Sequence, residues 1–168
     1  MTIEENLAMA YSRGKSRTLA LGVKASKRAL FREELSRLGI GLEDRLHAKV
    51  GMLSGGERQA LSLLMATFTR PQILLLDEHT AALDPSRAEL ITSLTDSIVR
   101  EMNLTTLMVT HNMEQAIRLG NRLIMMDGGR IILDIDEERK QDLTVERLLG
   151  EFEHISGHKL ADDRLVLG

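Results

Sequence analysis

LSGGERQALSLLMATFTRPQILLLDEHTAALDP, residues Leu53–Pro85, is the stretch on which the fold turns. Ser54-Gly-Gly-Glu57 has the form of a capping box: the serine hydroxyl accepts an amide of the first helical turn, and the glutamate three residues on reaches back to the cap amide. The helix it opens places Ala60, Leu61, Leu64 and Phe68 on one face and stops at Arg70-Pro71, because the residue before a proline is pushed out of the helical region. Ile73–Asp77 is a short apolar run bounded by Pro71-Gln72 on one side and by the carboxylates Asp77 and Glu78 on the other; it predicts a central strand buried on both faces. A charged pair at the end of such a strand needs a partner or a job. Asp84-Pro85 then starts another helix, with a carboxylate at the cap and proline at the first position, and Leu90, Ile91, Leu94, Ile98 and Val99 form its inner face.

Working outward, the next strand is TTLMVT, Thr105–Thr110, which runs into His111. Strand, helix, strand in that order is a βαβ unit and an α/β class. Asn112–Leu119 reads as a helix closed by Gly120, and Arg122–Asp127 and Arg130–Asp134 flank Asp127-Gly-Gly129, a hairpin signal. Thr144–Glu153 is a last amphipathic helix, and the tail beyond Gly157 is expected to be peripheral. On the N-terminal side, Thr2-Ile-Glu-Glu5 is a second capping box, whose helix runs through Leu7 and Met9. Ser26–Leu38 is a further helix with Gly39 as its stop, and Leu42–Leu46 a short third piece.

The composition is that of an ordinary globular chain: 168 residues, 43% hydrophobic and 28% charged. Aromatic residues are scarce (Tyr11, Phe31, Phe68 and Phe152), so the core must be built from aliphatic side chains and the nine methionines. With no cysteine there are no disulfides and no zinc-thiolate sites, which fits a reducing compartment. The apolar runs Ile73–Leu76 and Leu123–Met126 are far too short for a membrane span, and the N-terminus lacks an apolar signal core, so a cytoplasmic chain is expected. The net charge of −3 divides unevenly, +4 over residues 1–50 and −7 over the remainder. Arg13, Lys15, Arg17, Lys24, Lys27, Arg28 and Arg32 form a loose basic cluster without interleaved aromatics; it reads as a solvated helix surface, and no nucleic-acid partner is expected.

The set LSGGERQ, ILLLDE, AALDP and the histidine after TTLMVT resembles the second half of an ATP-binding-cassette (ABC) nucleotide-binding domain: signature motif, Walker B strand, D-loop and switch histidine, in order. The resemblance covers roughly residues 1–155. It implies an α/β fold, a partial P-loop NTPase-type (RecA-like) parallel sheet core with the ABC helical subdomain. Residues 1–52 would be part of that subdomain, 53–155 the C-terminal part of the nucleotide-binding core, and 156–168 a peripheral tail. It also implies roles. Ser54 and Gly56, with Gly55 and Gln59, would meet the γ-phosphate of an ATP held by the P-loop of an opposing domain. Asp77 would hold Mg²⁺ through water, Glu78 would act as general base, His111 would contact the γ-phosphate and steady that base, and Asp84 would communicate across the dimer. His79 stands where the family commonly has proline; no second His or Cys has ligand spacing to make it a metal ligand.

The chain departs from the family pattern in lacking a P-loop, a Q-loop and the strand that stacks on adenine. Arg13-Gly-Lys-Ser16 contains the GKS of a P-loop, but the position that needs the first glycine is Met9, and the segment before it reads as helix rather than strand. The chain is therefore expected to begin just after a missing N-terminal P-loop half and to be inactive alone. It is expected to use ATP and Mg²⁺ only in a composite site with a complete ABC ATPase domain or that missing half. In an intact bacterial transporter, an importer on this reading, it would also sit against a transmembrane permease at the inner face of the membrane.

Two alternatives are open. One is a signature-donating module, the C-terminal lobe of a split chromosome-maintenance or repair ATPase, which expects sustained heptads before the lobe, where this chain has short helices broken at Gly22, Gly39 and Gly41. The other is a non-catalytic regulator that lends its signature to a complete cassette. In the ABC arrangement the histidine strand lies between the Walker B and P-loop strands. Thr105–Thr110 should then present an open edge without charge or proline, and the helix faces around Leu61–Phe68 and Leu90–Ile98 should be partly uncovered, so self-association is expected.

Overall fold

A parallel pairing of two short strands orders the first part of the molecule, in a computed structural model that describes residues 1–13, 23 and 25–154. The described chain divides into two compact units, Met1–Val109 and Thr110 onward.

In the first unit, α1 (Ile3–Tyr11) starts from Thr2 with both hydrogen bonds of the expected capping box. After α2 (Ala25–Ser36) the chain turns through Gly39 and Gly41, whose φ angles of +66° and +74° lie where a Cβ is unfavourable. The short piece expected over Leu42–Leu46 is not a helix but a run of turns, in which Leu42 and Leu46 act as buried anchors. A single 3₁₀ turn, Val50–Met52, leads into α3 (Gly55–Thr67). Then follow β1 (Ile73–Asp77), α4 (Pro85–Met102) and β2 (Thr105–Val109).

The core of this unit gathers Ile3 and Leu7 of α1, Phe31 and Leu35 of α2, Ala60, Leu61 and Leu64 of α3, and Ile91 of α4. Three of the four aromatic rings close its edge: Tyr11, Phe31 and Phe68 stand edge-to-face with centroids 5.7–6.3 Å apart. Arg28 donates to the mostly buried Glu4 carboxylate at 2.7 Å, joining α2 to α1 and holding that carboxyl below its usual range. One cation of the basic cluster is therefore a structural partner, and Lys27 lies 5.7 Å over the Tyr11 ring. Lys15, Arg17 and Lys24, the Gly-Lys-Ser16 decoy and the stop at Gly22 lie outside the described residues.

β1 and β2 pair in parallel, Ile73 beside Thr105 through Asp77 beside Val109, with α4 as the crossover. The strand is not buried on both faces as expected. Leu74, Leu76, Thr106 and Met108 are covered, whereas Ile73, Leu75, Leu107 and Val109 are 51–66% exposed. The physical reason is that only one side of this two-stranded sheet has apolar structure packed on it among the described residues. β2 has β1 as its one strand partner there, so its far edge is unpaired, as expected.

Of the helix faces expected to be partly uncovered, that of α3 is mostly buried, whereas that of α4 is partly open, with Leu94 and Ile98 half-buried. Leu61, Leu63 and Leu64 are buried, and on α4 Leu90 points outward at 49% exposure while Thr92 and Thr95 fill the inner face. Their hydroxyls donate to the carbonyls of Ala88 and Ile91, each at 2.7 Å, which removes the cost of burying them.

In the second unit, Asn112 caps α5 (Met113–Arg118). β3 (Leu123–Asp127) and β4 (Arg130–Ile135) form an antiparallel hairpin with a bulge at Met125–Met126. Gly128 and Gly129 have φ of +54° and +75°, the pair of positive angles that a tight I′-type turn demands. Arg122 grips Asp134 across the hairpin with bonds of 2.8 and 2.5 Å. A one-turn helix, α6 (Glu137–Lys140), was not legible in the sequence; the buried Lys140 amine donates to the carbonyls of Leu119 and Gly120 and closes α5. Residues 145–154 are helical and contribute Leu148 to the core with Leu123, Leu133 and Ile135. Among the described residues no helix is long and apolar enough to cross a membrane.

Phe31→Ala removes the ring shared by both aromatic partners and should destabilise the first unit by about 3–5 kcal/mol. Urea denaturation should show this as a lower midpoint at unchanged slope.

Candidate functional site

Ser54 sits at the N-cap of α3 with extended backbone, and its hydroxyl accepts the Glu57 amide at 3.3 Å while its own amide donates to Glu57 Oε2 at 2.6 Å. Those bonds, reinforced by Arg45 on Oε1 at 2.6 Å, hold the Glu57 carboxyl below its usual range. Arg58 closes the same corner from the other side by donating to the Leu53 carbonyl. Neither arginine was singled out by the sequence; Arg45 lies in a turn without periodicity, so no local pattern announces it. The result is a rigid helix start in which Gly55 and Gly56 occupy the first two positions, where amides have no preceding carbonyl to bond.

The two glycines are also where this corner meets the loop that leads into α4. A Cβ on Gly55 would lie 3.1 Å from Leu83 Cδ2, and one on Gly56 would lie 3.6–3.8 Å from the stem of Arg87. Arg87 in turn bonds Asp84 at 3.3 Å. Asp84 caps α4 as expected, accepting the Arg87 amide at 3.1 Å and the Ser86 hydroxyl at 2.7 Å. These donors hold its exposed carboxyl below the usual range. The structure thus brings together Ser54, Gly55, Gly56 and the segment Leu83–Arg87. Gln59 lies half-buried on α3.

Asp77 and Glu78 are both exposed, where a buried strand end was expected. Their distinguishing feature is in the backbone. Glu78 has φ +43°, in the left-handed region that costs a non-glycine residue about 1–2 kcal/mol. Its amide donates to the Val109 carbonyl at 3.0 Å, extending the β1–β2 ladder by one bond, and its carbonyl accepts the Ala81 amide at 3.0 Å. Nothing in the sequence marks this conformation. His79 is half-buried with Nε2 at 3.2 Å from Thr95 Oγ1, and burial lowers its pKa. His111 is exposed, follows β2 by two residues and belongs to the second unit.

An Mg²⁺ ion that rides on nucleotide phosphates takes only one or two protein carboxylates and keeps several waters. The exposed pair Asp77–Glu78 fits that donor set; among the described residues no group of three or more His, Cys, Asp or Glu forms a protein-only cage. The first turn of α3, with glycine at both leading positions, fits an anionic oxygen. A shallow concavity lined by Ile135, Arg139, Asp142, Leu143, Arg147 and Glu151 includes none of these residues.

The chain resembles known proteins in sequence and in fold. The family model described as ABC transporter matches residues 1–81. The chain is 46% identical over 154 residues to a tyrosine transport ATP-binding protein of Clostridioides difficile, covering 92% of this chain and 61% of that one. It is 38% identical over 128 residues to a methionine import ATP-binding protein of Bacillus cereus, covering 73% and 37%. The chain therefore spans less than two thirds of the length of these relatives. Among solved structures, a metal-chelate type ABC transporter in an inward-facing conformation superposes with a TM-score of 0.72 over 91% of this chain and 58% of that one, at 24% identity.

The α3 cap should be acid-sensitive. Because the folded Glu57 carboxyl titrates below its ordinary value of 4.5, the unfolded chain takes up that proton first as pH falls. The contribution is therefore complete above pH 4.5 and is lost on acidification through the lower folded value. Ser54→Ala should cost about 1 kcal/mol at neutral pH. The difference between wild type and variant in urea midpoint should shrink as the pH is lowered.

Proposed function

The chain belongs to the ABC transporter family of ATP-binding proteins, and on that premise we propose that it is the signature-bearing C-terminal part of an importer's ATP-binding subunit. Its chemistry is ATP hydrolysis coupled to transport, at a composite site whose P-loop comes from another polypeptide or from the missing N-terminal half. The observation that supports this most is the locked corner in which Ser54, Gly55 and Gly56 stand against Leu83 and Arg87. It offers helix-start amides and a hydroxyl to one side, as a γ-phosphate presented from outside requires.

On this reading Ser54, Gly55, Gly56 and Gln59 bind and orient the terminal phosphate. Asp77 holds Mg²⁺ through water, and the ion when bound neutralises charge developing on the phosphoryl oxygens. Glu78 takes the proton of the attacking water, His111 holds the phosphate and the base in register, and Asp84 carries the state of the site across the dimer. Residues 1–52 are the helical subdomain portion and 53–155 the C-terminal part of the core; the chain works in the cytoplasm, against a permease at the inner face of the membrane. The exposed row Ile73, Leu75, Leu107 and Val109, beside the β2 edge that no described strand pairs, is the surface an N-terminal half would cover, and in isolation it drives self-association.

The test is reconstitution. Alone, the chain should show no Mg²⁺-dependent ATP turnover above background. Fused to an N-terminal half that carries a P-loop, it should hydrolyse ATP. Glu78→Gln should then hold ATP with turnover reduced by about 100-fold or more, and Gly56→Asp should block closure by setting a carboxylate against the phosphate. Steady turnover by the unfused chain that disappears in Glu78→Gln, or wild-type turnover in the Gly56→Asp fusion, would contradict the assignment.

A further inference from the structure

His79 follows the left-handed Glu78 directly, yet none of the roles above uses it. Two bonds define the backbone on either side of Glu78: its amide is fixed to Val109 on β2, and its carbonyl closes a turn to the Ala81 amide. Neither reaches α4, the element the loop must dock against before Asp84 can cap it. His79 does, with Nε2 standing 3.2 Å from Thr95 Oγ1 on that helix. Thr95 is buried, and its hydroxyl hydrogen is committed to the Ile91 carbonyl at 2.7 Å. Its oxygen therefore meets His79 as an acceptor, which requires the proton to sit on Nε2 of the imidazole.

We propose that His79 is a positioning residue: its Nε2–H donates to Thr95 Oγ1, fastens the turn after β1 to α4, and so keeps Glu78 in the left-handed backbone conformation. The proposal rests on the reading of Glu78 as the general base, since that is what makes its backbone worth fixing. A residue in a sparsely populated conformation persists only when its surroundings over-determine it. Here β2 holds one side of the turn and α4 the other. A proline at this position would have no donor with which to reach Thr95, so this chain holds the turn by a hydrogen bond where ring rigidity would otherwise serve.

The test uses the 168-residue chain itself and does not need activity. Nitrogen-15 NMR of the imidazole should report a protonated Nε2 and an unprotonated Nδ1. Amide hydrogen exchange is then read at Glu78, with Ile91 on α4 as an internal reference. His79→Ala should speed exchange at Glu78 by roughly fivefold, the equivalent of one side-chain hydrogen bond, and leave Ile91 unchanged. His79→Gln, whose amide can donate from a similar reach, should restore it, and Thr95→Val should reproduce the loss. Unchanged exchange at Glu78 in His79→Ala, or equal acceleration at Ile91, overturns the proposal, as does an Nδ1-protonated ring. In the fused protein, His79→Ala should lower kcat with KM for ATP unchanged and His79→Gln should recover it; a recovered exchange rate without recovered kcat also overturns it. If instead the Glu78→Gln fusion turns over normally, the general-base reading fails while the exchange result stands or falls separately.

Discussion

The parallel ladder between Ile73–Asp77 and Thr105–Val109 is the interaction on which the rest of the first unit depends. Parallel strands need a crossover, and the crossover here is α4, so pairing the strands fixes where the helix must lie. The loop from Glu78 to Leu83 then has to connect the strand end to the cap of α4 in six residues. It does so with a left-handed residue, a turn closed by Ala81 and a second turn from Leu83 to Thr80. Leu83 consequently arrives against Gly55, and the helix start at Ser54 and the cap at Asp84 become parts of one corner. The carboxylates, the glycine pair and the capping aspartate owe their mutual placement to this short chain of constraints.

The same ladder explains what is left over. A two-stranded sheet has two faces and two edges, and among the described residues the helices satisfy one face. The other carries Ile73, Leu75, Leu107 and Val109 in the open. Branched and apolar residues on both faces are the signature of a strand from the interior of a larger parallel sheet. The side chains thus record a burial that the described residues supply only on one side, in keeping with a chain that spans 61% of its tyrosine transport relative.

Much of this was legible in the sequence, and the legible parts share a cause. Both capping boxes, the proline-led start of α4, the hairpin at Gly128-Gly129 and the two strands are governed by local chemistry, and they stand where that chemistry puts them. What failed depended on partners far along the chain. The period that marked Leu90 as inward could not know that Thr92 and Thr95 would bury their hydroxyls on backbone carbonyls. Nor could an apolar run reveal that one face of β1 lacks cover. Residue types and their order pointed to Ser54, Gly55, Gly56 and Asp84, which the structure brings into one corner. The clamp of Arg45 on Glu57 and the bond from His79 to Thr95 join residues 12 and 16 positions apart and leave no trace in the motif.

The central claim is that the corner at Ser54 faces a nucleotide held by another polypeptide. Because the chain contains no cysteine, a single Ser54→Cys substitution gives a unique thiol at that point. Its rate of modification by a maleimide can be followed in a mixture with a full-length relative whose own general base is replaced by glutamine, so that ATP stays bound. The account predicts that Mg²⁺ and ATP together slow the modification at least tenfold, and that neither ADP nor the relative alone does so. A modification rate indifferent to ATP, in a mixture where the two proteins are shown to associate, would contradict it.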